Sequence, residues 1–82
     1  MGHIRAHIRL ITSTSATDFV SGINSDGTAN KYMIENFDGS CRVNARSLLG
    51  VIYMLTDFSD ECYLVNESQD GSFPHIVDQY RV

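Results

Sequence analysis

The sequence predicts an α+β open-faced sandwich, a four-stranded antiparallel sheet with three helices on one face. Three observations carry this. The first apolar stretch alternates residue by residue, so one face of its strand is buried and the other is wet. The spacing then switches to the helical period. An Asp38-Gly39 pair between two short apolar runs marks a hairpin. With 82 residues, the chain reads as one domain spanning 1–82.

The elements follow in order. In "IRAHIRLI" (4–11), Ile4, Ala6, Ile8 and Leu10 face one way and Arg5, His7 and Arg9 the other. "TSTS" breaks that pattern. From Ser15 onward Ala16, Phe19, Val20 and Ile23 fall at i, i+3, i+4 and i+7, and Ser15 with Asp18 has the form of a capping box. "NSDGTAN" closes this helix. "KYMIENF" (31–37) reads as a strand, with Tyr32 and Ile34 on one face and Met33 and Phe37 on the other. "SCRVN" is its hairpin partner, with Cys41 and Val43 sharing a face. A second helix begins after Ser47, with an apolar stripe of Leu48, Leu49, Ile52 and Leu55 widened by Val51. "TDFSDE" is a polar connection, "ECYLV" (61–65) a fourth strand and "SQDG" a turn. "SFPHIVDQYRV" reads as a last short helix, with Ser72 as cap, Pro74 in its first turn and Phe73, Ile76, Val77 and Tyr80 as its apolar face. Without that last helix, the same order also fits a ferredoxin-like fold.

Composition narrows the function classes. The net charge is −4, and the six Lys and Arg residues are spread from Arg5 to Arg81. Nucleic-acid binding needs clustered positive charge, so no direct nucleic-acid partner is expected. Cys41 and Cys62 stand alone, with no disulfide or zinc spacing, and read as two buried thiols of a cytoplasmic protein. No apolar run approaches the roughly 20 residues of a membrane span, and "MGHIRAHIRL" has no signal-peptide h-region. His7 and His75 have neither a second histidine nor a carboxylate at ligand spacing, so no metal and no cofactor are expected. Asp57, Asp60 and Glu61 read as a solvated acidic loop rather than a catalytic pair. No nucleophile–base pair is visible, so the chain is not read as an enzyme.

One stretch carries a family resemblance. "NARSLLGVIYML" (44–55) supplies Asn44, a basic residue directly before a serine (Arg46-Ser47), two large aliphatics (Leu48, Leu49) and then Gly50-Val51. This resembles the second-helix segment of the Gram-positive HPr-like family, the small phosphocarriers of the bacterial sugar phosphotransferase system. The flanks agree. Asp38-Gly39 occupies the preceding hairpin, Asp18-Phe19-Val20 lies where the family's first helix carries an aromatic–aliphatic pair, and the order of elements is the same. The resemblance spans residues 4–80 and is concentrated around Ser47.

The departure from the family is equally specific. The family carries phosphate on a histidine that starts the first helix, in a His-x-Arg-Pro-Ala pattern. Counting back from Phe19 puts that histidine at Thr12, the arginine at Thr14 and the proline at Ser15; only Ala16 keeps its identity. The chemistry needs an imidazole that accepts a phosphoryl group and surrenders it. A threonine ester does not transfer readily, so phosphocarrier activity is not expected.

The candidate residues have both plain and functional readings. Ser47 is a favoured N-cap. The resemblance adds regulatory phosphorylation, since the matching serine in Gram-positive members is modified by a dedicated kinase. A histidine-lacking (Crh-like) branch keeps that serine and acts through a transcriptional repressor. A phosphate at a helix start meets free N–H groups and the positive end of the helix dipole, and Arg46 is a nearby cation. Leu48, Leu49 and Ile52 are core residues on the plain reading. On the family reading they are an apolar docking patch, with Leu48 the leading candidate because it lies next to the cap, while Leu49, Ile52 and Leu55 could bury in its place. Thr12-Ser13-Thr14-Ser15 is a capping segment whose hydroxyls could also hold an anion. The resemblance thus implies a cytoplasmic regulator, monomeric or weakly dimeric, whose partners are an HPr kinase and a transcriptional regulator. The alternative is an HPr-like scaffold that docks without phosphorylation.

Overall fold

A computed structural model describes residues 4–10, 12–27, 30–58, 61–68 and 72–82. The elements are β1 (Ile4–Ile8), α1 (Ser13–Asn24), β2 (Tyr32–Glu35), β3 (Arg42–Asn44), α2 (Leu48–Asp57), β4 (Cys62–Asn66) and a 3-10 helix (His75–Tyr80). The strands form one antiparallel sheet in the order β1-β4-β2-β3. This is the expected α+β open sheet, and its strand order is consistent with an HPr-like topology. A ferredoxin-like sheet would set β3 between β1 and β2; here β4 occupies that place.

Alternation builds the core as expected. Ala6 and Ile8 of β1, Tyr32 and Ile34 of β2, and Cys62 and Leu64 of β4 are buried on one face. Ala16, Phe19, Val20 and Ile23 of α1, Val51 and Met54 of α2, and Val77 of the 3-10 helix meet them in one cluster. Gly22 lets the 3-10 helix approach α1, since a Cβ there would stand 2.7 Å from Ile76 Cγ1. Asn66, at the end of β4, is buried but satisfied: its amide donates to the Ser72 carbonyl and its Oδ1 accepts from Ser68 N.

Several local expectations are corrected. Helix α1 starts at Ser13, two residues early, because Thr12 rather than Ser15 is the cap; Thr12 Oγ1 accepts from Ser15 N at 3.1 Å. Asp18 takes no part in that cap. The Asp38-Gly39 hairpin is present, but its strands are shorter than expected, and β2 and β3 are joined by a loop from Asn36 to Cys41, closed by Asn36 N to Cys41 O at 3.1 Å, with Gly39 at φ +76° and Ser40 N on the Asp38 carboxylate. That backbone bond holds the Asp38 carboxyl below its ordinary range. The last helix is a 3-10 turn that begins at His75, with Pro74 at the cap position and no side-chain cap, so Ser72 does not cap it. Cys62 is buried, but Cys41 is only half-buried. The expectations for Ile11, for Thr28 and Ala29 at the first helix's end, for Ser59 and Asp60 of the acidic loop, and for Gln69–Gly71 of the turn lie outside the described residues.

Candidate functional site

The turn from β3 into α2 is built by Asn44. Its Oδ1 accepts from Arg46 N at 2.9 Å, and its carbonyl accepts from Ser47 N at 3.0 Å. This is an Asx-type turn, in which a short amide side chain stands in for backbone. It delivers Ser47 to the N-cap in extended backbone, φ −100° and ψ 117°. Ser47 Oγ accepts from Gly50 N at 3.3 Å, a long bond, and the side chain is exposed. The expected cap is therefore present, and its hydroxyl faces solvent at the end of a ten-residue helix where unpaired N–H groups favour negative charge.

Around Ser47 the exposure favours Leu49 over Leu48, the residue next to the cap. Leu49 is 82% exposed and Leu48 only 38%, so Leu49 is the outermost apolar side chain. The stripe expected to bury is rotated: Val51 and Met54 are fully buried, while Ile52 and Leu55 are half-buried against the core. Tyr53, not singled out from the sequence, is 49% exposed and lies at i+4 from Leu49, hence on the same side of the helix. Leu48, Leu49 and Tyr53 thus leave exposed apolar side chains, with Ile52 half-buried, on the helix that Ser47 caps. The Leu49/Tyr53 spacing was a readable signal. The Tyr53 phenol is held above the usual tyrosine range by the charge and hydrogen bond of Cys41, then by those of Asp57. Cys41 in turn reaches Met54, Sγ to Sδ 3.8 Å.

Arg46 has a different place from the one expected. Its guanidinium donates to the Ile23 carbonyl at 2.9 Å and the Asn30 carbonyl at 3.1 Å, and lies 5.2 Å from the centre of the Tyr32 ring. Ile23 is in the last turn of α1, and its carbonyl accepts from Asp26 N at 3.2 Å as well as from Arg46. Asn24 Nδ2 completes the tie by donating to Arg46 O at 3.3 Å. Arg46 thus ties the end of α1 to the turn that presents Ser47, and its charge is committed to carbonyls.

Thr12 is at the N-cap of α1, where the resemblance puts the family's phosphohistidine; its hydroxyl is engaged with Ser15, Oγ1 to Oγ 3.2 Å. His7 stacks on Tyr63 with ring centres 4.6 Å apart. His75 is fully exposed, 4.0 Å from the Asp78 carboxylate. Among the described residues, no group of three His, Cys, Asp or Glu side chains is placed to hold a metal, and no helix is long and apolar enough to cross a membrane. Comparison with known protein families, curated proteins and solved structures finds no match for this chain.

Proposed function

We propose that this protein is a cytoplasmic HPr-like regulator that docks to other proteins through the start of α2, with Ser47 as its phosphorylation-controlled residue and no histidine phosphocarrier activity. The observation that carries the reading is the exposure of Leu48, Leu49 and Tyr53 on the helix whose solvent-facing cap hydroxyl is Ser47. A kinase reaches such a hydroxyl without unfolding the helix. A phosphate placed there keeps the cap's role, because its oxygens accept the same N–H groups. It also sets about −2 charge beside Leu49, so any partner that reads Leu49 apolar would read the modified surface differently. A transcriptional regulator is the partner class that the Crh-like resemblance implies. Thr12 supports the loss of carrier activity, since a hydroxyl stands where an imidazole is needed.

A second reading is docking without modification. It is favoured by Arg46, whose guanidinium is held by Ile23 and Asn30 rather than directed to a phosphate at Ser47. Incubation with purified HPr kinase and ATP, read by intact mass, separates the two. The first reading expects one added phosphate on the parent chain and none on Ser47→Ala. No added mass on the parent chain, with an authentic HPr modified in the same tube, leaves Ser47 as a helix cap and the surface as a passive dock.

A further inference from the structure

We infer that the sulfur atoms of Cys41 and Met54 are the two ligands of a site for one soft monovalent metal ion, of the copper(I) type. The two residues come from different elements. Cys41 ends the loop that leads into β3, and Met54 lies within α2. The Cys41 thiol donates to Met54 Sδ, with the sulfurs 3.8 Å apart. Two sulfurs bound to one ion at about 2.3 Å stand about 3.8–4.0 Å apart at tetrahedral to trigonal angles. The ion therefore takes the place of the thiol proton between two sulfurs that already have the separation it needs. The exchange is balanced. The Cys41 S–H bond breaks, its proton passes to water, the sulfur–metal bond forms, and no electron is transferred.

The donors select the ion. A thiolate and a thioether are soft ligands, a pair that favours copper(I) over cations that seek oxygen. The single thiolate charge cancels that of a monovalent ion, so the filled site is neutral, as a half-buried place favours. A divalent ion would leave a net charge there, and among the described residues no three His, Cys, Asp or Glu side chains gather to hold one. Burial is graded to suit. Met54 is fully buried, which keeps water from its thioether, and Cys41 is half-buried, which leaves one side open to an arriving ion. The Tyr53 phenol also hydrogen-bonds Cys41, the place of an outer partner that orients a metal ligand. Cys62 is not a ligand, because it is buried and its Sγ is turned to the Phe58 carbonyl at 3.2 Å and the Met54 carbonyl at 3.7 Å. Cys41 and Met54 are 13 residues apart, so no ligand spacing shows in the sequence. The site does not depend on the reading of Ser47.

Anaerobic titration with copper(I), read by native mass spectrometry and by competition with a coloured copper(I) chelator, tests it. The parent chain should retain one ion, Cys41→Ser should lose it and Cys62→Ala should keep it. The deciding variant is Met54→Leu, which conserves volume in the core and leaves the thiol in place. It should bind at least about tenfold more weakly than the parent, since even the loss of an outer partner at a metal site costs about 10–100-fold. A folded Met54→Leu chain that binds as tightly as the parent makes Cys41 an ordinary thiol and overturns the inference. Retention that follows Cys62 instead, or no copper retained by the parent, overturns it equally. A parent chain labelled at its methionine methyls gives a reading without any variant. One equivalent of copper(I) should shift the Met54 methyl signal and leave that of Met33, on β2, in place. A Met54 signal that does not move overturns ligation by the thioether.

Discussion

Replacing Arg46 with alanine measures whether that side chain holds the fold or serves the surface beside it. Among the described residues, the substitution removes the charge-assisted hydrogen bonds to the carbonyls of Ile23 and Asn30 and the contact with the Tyr32 ring. A hydrogen bond to a charged group contributes roughly 1.5–3 kcal/mol. Arg46 is half-buried, so water can reach the released carbonyls and one bond's worth, about 2 kcal/mol, is the fitting figure for the pair. The ring contact adds about 0.5–1 kcal/mol. In a domain of this size 1 kcal/mol corresponds to about 4–8 °C, so the melting temperature should fall by about 10–24 °C. Circular dichroism melts and urea unfolding of both chains read the change, with the urea slope unaltered. Arg46→Lys should recover less than half of the loss, because one ammonium cannot reproduce the planar fork that meets two carbonyls. A melting temperature within about 2 °C of the parent would refute the reasoning, and Arg46 would then be available to a phosphate at Ser47.

Two further predictions concern the same fold. Met54→Ala, at a fully buried position of α2, should cost about 2–5 kcal/mol in urea unfolding, while Leu49→Ala on the opposite side should stay within about 0.5 kcal/mol of the parent; equal costs would reverse the assignment of the helix faces. Burial, with a smaller push from Asp18, raises the Tyr80 phenol above its ordinary value. The folded chain therefore holds that proton more tightly than the unfolded chain. The associated stability is complete below about pH 10 and is lost as pH rises through the folded value. Tyr80→Phe should flatten that alkaline decline in melts taken between about pH 9 and 12, and an unchanged slope would remove Tyr80 as its source.

The strands and the order of elements were legible because each burying face repeats with a fixed period: Ala6 and Ile8, Tyr32 and Ile34, Cys62 and Leu64. The face of α2 was not. Leu48, Leu49, Val51, Ile52, Met54 and Leu55 make that helix apolar nearly all round. Two stripes then fit the sequence equally well, and only the position of the sheet selects Val51 and Met54. The start of α1 failed for a related reason. Four successive hydroxyl residues, Thr12 to Ser15, can each cap, and hydrogen bonding chose the first. For the candidate site, Ser47 was legible because the cap is a local, three-residue interaction. The commitment of Arg46 to Ile23 joins residues 23 positions apart and leaves no trace in local spacing.

The open face of the sheet shows the same limit from the other side. By alternation Val65 belongs to the wet face, with Tyr63, yet it is buried. Its cross-strand neighbours are Arg5 and Met33. Arg5 folds over the sheet, 3.9 Å from the Tyr63 ring centre, with Nε on Glu35 at 3.1 Å and Nη2 on the carbonyls of Asn36 and Phe37. Glu35 also takes Arg42 at 3.1 Å; Arg42 reaches Glu67, and Glu67 meets Lys31 at 3.7 Å. Exposed ion pairs of this kind contribute little individually. Their arrangement matters more, because long basic side chains lie along apolar surface and shield it while their charged ends stay wet. The fold therefore gathers Arg5, Lys31 and Arg42, far apart in sequence, onto one face, and sets Glu35 and Glu67 among them. A cluster of cations answered by carboxylates offers little net charge to an anionic partner, whereas the start of α2 leaves Leu49 with no such cover. The asymmetry between a sheet face closed by its own side chains and a helix end left open is what supports the proposal of docking at α2.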